Sequence, residues 1–213
     1  ETAAGEMMPE PEPTSEHAFL IAIPGDIPDW RDLAYLATIP ASASLNHGRA
    51  VVIALQEPLL SPSASQFLNR FSPQHITVIG APDLTPNAPV IDHIPLTDLT
   101  DVTIDLAASW QQSDYVILAP QYDYAKAVMA SSLAGRLRSP LFFFDDTLSE
   151  AVHSEIERLS PQSIIVLGEI TQLELTNTAY LEDEDAMIAW LLDHAFPVDY
   201  IAVVNPNDRS AGR

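Results

Sequence analysis

The stretch SPQHITVIG at residues 72–80 is followed 88 positions later by SPQSIIVLG at residues 160–168. Both nonapeptides come directly after short patterns with apolar residues three and four apart, at 63–71 and 149–159, which is typical of an amphipathic helix. The Ser-Pro-Gln segment therefore predicts a turn that ends a helix and starts a buried strand. Its repetition predicts two copies of one structural unit.

The parallel between the two copies continues upstream. Apolar runs that stop at a proline occur at 18–24 and at 114–120, as expected for buried strands that end in a turn. Each is followed by a helical stretch and a second apolar run, so each copy has the order strand, helix, strand, helix, strand. The predicted strands are 19–23, 50–55, 76–79, 115–119, 140–144 and 163–167, and the predicted helices are 30–43, 61–71, 124–137 and 148–159.

Each copy closes with one more helix. The first of these starts after Asp98 or Thr100, either of which suits an N-cap, and the second starts in the acidic run at 182–185, which suits the positive end of a helix dipole. Weaker strands are predicted at 89–96 and 178–181. Apolar strands that alternate with helices predict an α/β fold in which a mostly parallel sheet is covered on both faces.

A third copy begins near the end of the sequence. DYIAVVNP at 199–206 matches the start of the second copy, DYVILAP, in its Asp-Tyr pair, its apolar run and its final proline. The predicted organisation is a flexible linker at 1–17, a first repeat at 18–113, a second repeat at 114–198 and the start of a third repeat at 199–213. We expect further domains of the same longer chain.

Charge and composition narrow the classes of partner. The chain has 30 acidic and 9 basic residues, a net charge of −21, and this repels nucleic acids and anionic membrane surfaces. It has no cysteine, which removes disulfides and thiolate sites, and it has no apolar run long enough to cross a membrane. The Pro- and Glu-rich first residues are typical of a flexible linker. The acidity fits either solubility in a salty or extracellular milieu or the attraction of cations.

Residues 123–170 resemble the putative cell wall-binding repeat of type 2, a family of bacterial surface proteins. The resemblance lies in a helix start at 124–129, small residues at 132–134, an apolar strand at 139–143 and the segment IIVLG at 164–168. The first copy carries the pattern more loosely, in DLAYLATIPASA at 32–43 and in ITVIG at 76–80. The chain departs from the family pattern at three positions, where it has Ala81, Glu169 and Lys126.

This resemblance implies a fold and a role. It implies Toprim-like or flavodoxin-like lobes, arranged in threes, in a non-enzymatic module at the cell surface. In the family, basic surfaces are thought to hold anionic wall polymers, and the charge of this chain has the opposite sign. The partners that it implies are a cell-envelope polymer or another surface protein, with no nucleic acid and no membrane insertion.

Candidate ligand-binding residues follow the first strand of each copy. Ligands of open parallel sheets bind beyond the carboxyl ends of the strands, and there the sequence places Asp26, Asp29, Asp123, Tyr124 and Asp208. Aspartates in such loops also serve as turn residues and helix caps. Both interpretations remain open from the sequence.

A second candidate is a cation site in the second copy. Asp145 and Asp146 follow its second strand and Glu169 follows its third, and carboxylates at strand ends are suitable ligands for Ca²⁺ or Mg²⁺. Adjacent aspartates point in opposite directions on an extended chain, which opposes joint coordination. The six histidines show no ligand spacing, so we expect them to be unrelated packing or surface residues. No cofactor is predicted apart from a possible divalent cation.

Three functions remain in competition. The preferred one is a non-enzymatic extracellular module for attachment or display at the cell surface. The second is a divalent-metal-dependent enzyme domain that uses the carboxylates at the strand ends. The third is a two-lobed receptor that closes on a small molecule in a cleft lined by Trp30, Tyr122 and Tyr124. A close-packed contact between the lobes would favour attachment, and a deep cleft would favour the receptor.

Overall fold

The computed structural model describes residues 16–22, 50–55, 59–96, 98–121, 123–170 and 175–196. The predicted helix at 30–43 and the third repeat at 199–213 lie outside these residues, as does most of the predicted linker. Within the described part of the chain, no helix is long and apolar enough to cross a membrane.

The described residues form two four-stranded sheets in which every neighbouring pair is parallel. The first sheet has the order β2-β1-β3-β4 and the second has the equivalent order β6-β5-β7-β8. This is the order of a doubly wound, flavodoxin-like sheet. The strands are β1 (His17–Ala22), β2 (Ala50–Leu55), β3 (His75–Ile79), β4 (Val90–Ile94), β5 (Tyr115–Pro120), β6 (Leu141–Phe144), β7 (Ser163–Leu167) and β8 (Thr178–Leu181).

Helices flank both sheets. They are α1 (Pro62–Phe71), α2 (Leu99–Ala107), α3 (Tyr124–Leu137), α4 (Glu150–Leu159) and α5 (Glu184–Asp193). In each of the five, the oxygen of a Ser or Asp side chain accepts a hydrogen bond from the backbone N–H three residues later, so it satisfies one of the N–H groups that a helix start leaves unpaired. The α/β fold with tandem parallel sheets, predicted from the sequence, is therefore confirmed.

The predicted bounds differ from the observed ones by a residue or two. The weaker strands predicted at 89–96 and 178–181 are present as β4 and β8. β1 begins at His17, two residues before the predicted start. A polar residue is tolerated in this strand because the buried imidazole of His17 bonds Thr77 Oγ1 at 2.9 Å, so its burial leaves that ring nitrogen paired.

The Ser-Pro-Gln segments have the same geometry in the two lobes. Ser72 and Ser160 both adopt a left-handed backbone, with φ of 51° and 48°. Their N–H groups donate to the carbonyls of Leu68 at 2.8 Å and Ile156 at 3.1 Å, which closes the last turns of α1 and α4. The segment thus ends the helix.

The glutamine of each segment then starts the next strand. The N–H of Gln74 donates to Glu16 O at 2.9 Å, and the N–H of Gln162 donates to Asp114 O at 2.9 Å. Both acceptors stand immediately before the first strand of their own sheet. The segment therefore sets the register between the first and third strands.

Each nonapeptide ends in a glycine with positive φ, 82° at Gly80 and 109° at Gly168. A Cβ on Gly80 would lie 2.2 Å from Ala22 O, which leaves no room for any side chain. A Cβ on Gly168 would meet only side-chain atoms, the nearest being Lys126 Cδ at 3.3 Å. The positive φ favours glycine at both positions. At Gly80 the lack of space for a Cβ is a second reason.

One hydrophobic core runs through both lobes. It joins Phe19, Ile21 and Ile79 of the first sheet to the apolar residues of α2, and α2 in turn joins the core of the second sheet. α2 contacts β6, the edge strand of the second sheet, and also α4. A second, smaller cluster lies between the other face of the first sheet and Leu68 of α1.

Polar contacts reinforce this junction between the lobes, which we call the seam. Arg158 of α4 donates from its guanidinium to Trp110 O at 2.8 Å and Ala107 O at 3.2 Å, where α2 ends. A hydrogen bond to Glu155 holds this guanidinium in place and raises the pKa of Arg158 above its usual value. Trp110 Nε1 donates to Arg138 O at 2.9 Å. The guanidinium thus adds charged donors to backbone carbonyls where α2 ends, and Ala107 O accepts from the N–H of Trp110 as well, at 3.0 Å.

Candidate functional site

The second sheet carries a shallow depression of about 450 Å³ at the carboxyl ends of its strands. Such a position, beyond the ends of parallel strands, is where α/β proteins bind ligands. It is lined by the ends of β5, β6 and β7 and by the first turn of α3, including Gln121, Asp123, Lys126, Asp145, Asp146 and Glu169. Four of the residues predicted from the sequence therefore lie around one depression.

Asp123 and Tyr124 stand where β5 passes into α3. Asp123 Oδ1 accepts a hydrogen bond from the backbone N–H of Lys126 at 3.1 Å, so Asp123 is the N-cap of the helix, and Tyr124 is its first residue. This cap explains Asp123 as a structural residue. Ligand binding by Asp123 and Tyr124 stays a prediction.

The three carboxylates predicted to hold a cation are exposed at the ends of two strands. Asp145 and Asp146 follow β6, and Glu169 follows β7. Among the described residues, no three His, Asp or Glu side chains are placed so that they could hold a metal ion together. The lining does bring acidic side chains from the ends of β6 and β7, the two strands on either side of β5, to one depression. Divalent-cation binding stays a prediction.

Lys126 is the functional candidate that the sequence reasoning missed. It is the only lysine of the chain, and its Nζ donates to Glu182 O at 3.1 Å, just beyond the end of β8. The Lys126 side chain passes close to Gly168, since its Cδ would lie 3.3 Å from a Cβ at that position. This lysine therefore places a positive charge beside the acidic lining and links α3 to the far edge of the sheet. The sequence does contain a signal for this residue, because a single lysine in a strongly acidic chain is unusual.

The corresponding end of the first sheet has different chemistry. Ala81, which corresponds to Glu169, is buried and carries no ligand atom. The predicted residues Asp26, Asp29 and Asp208 lie outside the described residues, and so do Gln56 and Glu57, which follow β2. A second depression, of about 530 Å³, lies instead beside the first Ser-Pro-Gln turn and is lined by residues such as Asn69, Gln74 and Asn87.

Two histidines that looked unrelated in the sequence are neighbours across β1 and β3. His17 and His75 are paired in register and their rings stack with centroids 4.4 Å apart. His75 Nε2 also lies 2.6 Å from Asp92 Oδ2 on β4. The expectation that they pack is met, but the expectation that they are unrelated is wrong, because sequence spacing does not report cross-strand register.

Comparison with known proteins gives a likeness of fold. No protein-family model matches the chain, and no curated protein matches it. Among solved structures, Cwp6 from Clostridium difficile superposes with a TM-score of 0.57 at 14% sequence identity. The match covers 71% of this chain and 25% of the Cwp6 chain, so the present chain spans about a quarter of that protein's length. At this identity, what the two proteins share is the α/β fold.

Proposed function

We propose that this chain is a non-enzymatic, extracellular module that attaches to the cell surface or displays other domains there. Two observations of different kinds support the proposal. The sequence resembles a cell wall-binding repeat, and the fold is similar to that of Cwp6, whose name designates a cell wall protein. We take the partner to be a cell-envelope polymer or another surface protein.

The observation that carries the proposal is the close packing of the seam. A receptor that closes on a small molecule needs two lobes that rotate about a few hinge residues around an open cleft. Here the apolar side chains of α2 are shared between the two sheets, and Arg158 and Trp110 bond backbone groups across the seam. Opening the seam would expose buried apolar surface and break these bonds, so a fixed pair of lobes that presents outer surfaces is favoured.

The acidic depression is the surface that we propose for the contact. Its lining includes Asp123, Asp145, Asp146 and Glu169, and the net charge of the chain is −21. Such a surface attracts cationic groups directly, or anionic groups through a bridging divalent cation. Calcium dependence of binding would distinguish the two modes.

The same lining favours one alternative, a divalent-metal-dependent enzyme. In that case the carboxylates would hold the metal tightly enough to position a substrate, and Mg²⁺ or Ca²⁺ alone would bind without any envelope material. Isothermal titration calorimetry of the purified chain with each ion tests this alternative separately.

The experiment that tests attachment is a pull-down of the purified chain on isolated Gram-positive cell envelopes, with and without calcium, at two salt concentrations. We expect the wild-type chain to sediment with the envelopes and the double variant Asp145→Asn/Asp146→Asn to bind at least about tenfold more weakly, since it removes two exposed charges from the lining. The matched control is Glu184→Gln/Asp185→Asn, which removes two adjacent exposed acids outside the depression. Absence of wild-type binding under every condition would refute attachment.

A further inference from the structure

The depression beside the first Ser-Pro-Gln turn differs in chemistry from the acidic depression of the second lobe. It has a volume of about 530 Å³ and lies at the amino ends of β3 and β4, next to the end of α1. None of the described residues that line it is charged, although the net charge of the chain is −21. Its volume is that of a small-molecule site, and its lining suits a neutral ligand. We call it the amide depression, after Asn69, Gln74 and Asn87 of its lining.

The three side-chain amides of this depression come from three separate segments. Asn69 belongs to the last turn of α1, Gln74 directly precedes β3, and Asn87 lies in the loop before β4. All three residues are exposed, and their side chains form no hydrogen bond with any other described residue. A side-chain amide offers two N–H donors and a carbonyl acceptor. Each can therefore both donate to a ligand and accept from it without breaking a bond within the described part of the fold.

The second lobe shows that the fold does not need these amides. Gln162 is the equivalent of Gln74, and its Nε2 donates to Asp114 Oδ1 at 2.9 Å. Glu157 stands in α4 where α1 has Asn69. The hydrogen bond that sets the strand register comes from the backbone N–H of the glutamine in both lobes, and not from its side chain. The amide of Gln74 is thus left for another partner in the first lobe alone.

Apolar surface lies beside the amides. Leu68 and Pro73 of the lining are buried, and Pro89 is exposed. A sugar has the matching properties, because its hydroxyl groups both donate and accept hydrogen bonds while its C–H groups are apolar. Peptides are commonly recognised by aromatic-lined grooves or by clustered charges, and the described lining contains neither. The chemistry of the depression therefore favours a carbohydrate over a peptide.

We propose that the amide depression binds a neutral carbohydrate. The amides of Asn69, Gln74 and Asn87 exchange hydrogen bonds with its hydroxyl groups, and Leu68 and Pro73 pack against its C–H groups. This site is separate from the acidic depression that we assign to attachment. Because no charged group takes part, binding needs no divalent cation and is insensitive to salt.

The test is a titration of the isotope-labelled chain with chitotetraose, cellotetraose or maltotetraose, followed by the side-chain amide signals in NMR correlation spectra. We expect at least one of these oligosaccharides to shift the signals of all three amides, with a Kd on the order of 1 mM. The Kd should be the same at about 0.05 M and about 0.5 M salt, and with or without calcium. Competition by that oligosaccharide in the envelope pull-down would identify a wall glycan as the ligand, and its absence would identify a free sugar.

Variants assign the binding to this depression. Asn69→Ala/Gln74→Ala removes two amides but keeps the backbone N–H of Gln74 that donates to Glu16 O, so its circular dichroism spectrum should be that of the wild type. It should bind at least about tenfold more weakly, since two hydrogen bonds are lost. Gln112→Ala is the matched control, because Gln112 is an exposed amide outside the depression, and it should bind as the wild type does.

Three results would overturn the proposal. They are the absence of any shift at about ten times the expected Kd, shifts that persist unchanged in the double variant, and stronger binding of a neutral peptide such as acetyl-tetraalanine amide. Soluble sugars are used throughout, so failure here leaves the envelope pull-down as a separate test of attachment. Asp145→Asn/Asp146→Asn should bind the oligosaccharide as the wild type does, because both aspartates lie around the other depression.

Discussion

The two equivalent glycines allow the steric and conformational costs of a side chain to be measured separately. Replacement of either by alanine places an L residue at positive φ, which costs about 1–3 kcal/mol. Gly168→Ala adds a contact of 3.3 Å with the flexible Lys126 side chain, which can move. Gly80→Ala adds a contact of 2.2 Å with the backbone oxygen of Ala22, the last residue of the central strand β1, and this oxygen cannot move without displacing the strand.

We therefore expect Gly80→Ala to be the more destabilising of the two substitutions. Forcing an extra methyl group into a packed site costs about a further 1–3 kcal/mol, so the free energy of unfolding should fall by about 2–6 kcal/mol for Gly80→Ala and by about 1–3 kcal/mol for Gly168→Ala. Urea denaturation followed by circular dichroism measures both losses under the same conditions. Equal losses would refute the reasoning, because they would mean that the close approach to Ala22 contributes nothing.

Three further predictions follow from contacts described above. Arg158→Ala should lower the free energy of unfolding by about 2–4 kcal/mol in urea denaturation, since it removes charged hydrogen bonds to Ala107 O and Trp110 O, and Arg158→Lys should restore only part of the loss; full restoration would show that charge alone matters. Burial raises the pKa of Asp105, with a smaller contribution from Asp101, so stability contributed by this group is present below its unfolded pKa and is lost as pH rises through the raised folded value. Asp105→Asn should therefore raise Tm at pH 7 by more than at pH 3, and a lower Tm at pH 7 would contradict the cause. Thr77→Val should cost about 1 kcal/mol in chemical denaturation by removing the hydrogen bond to the buried His17 ring, and an unchanged stability would show that this bond contributes nothing.

The sequence was sufficient to predict the elements because their signals are local. The N-cap at Ser61, the stop at Ser72 and the apolar run of β3 lie within 20 residues of one another, and the same signals recur around Ser149 and Ser160. Since each signal acts through neighbouring residues, a single sequence is enough to recognise it. The occurrence of the same signals in both repeats removed most of the ambiguity between helix and strand.

The seam and the lining of the depression could not be predicted in this way. Arg158 and Trp110 are 48 residues apart in sequence, and nothing in either neighbourhood indicates that they meet. Lys126 reaches Glu182 O across 56 residues. These contacts depend on how α2 lies against an edge strand of the other sheet, which is decided by three-dimensional packing and not by the local pattern. The acids at Asp145, Asp146 and Glu169 were placed correctly at strand ends, because parallel strands share one carboxyl edge.

The position of α2 means that the sequence repeat and the packed structural unit begin at different residues. The second sequence repeat begins at Asp114. The second sheet nevertheless needs α2, which precedes Asp114, to cover β6. A fragment cut at residue 113 would leave one piece with a bare apolar helix and the other with a bare edge strand. The segment that duplication or recombination can move intact therefore starts before Asp98 and takes its closing helix from the copy upstream.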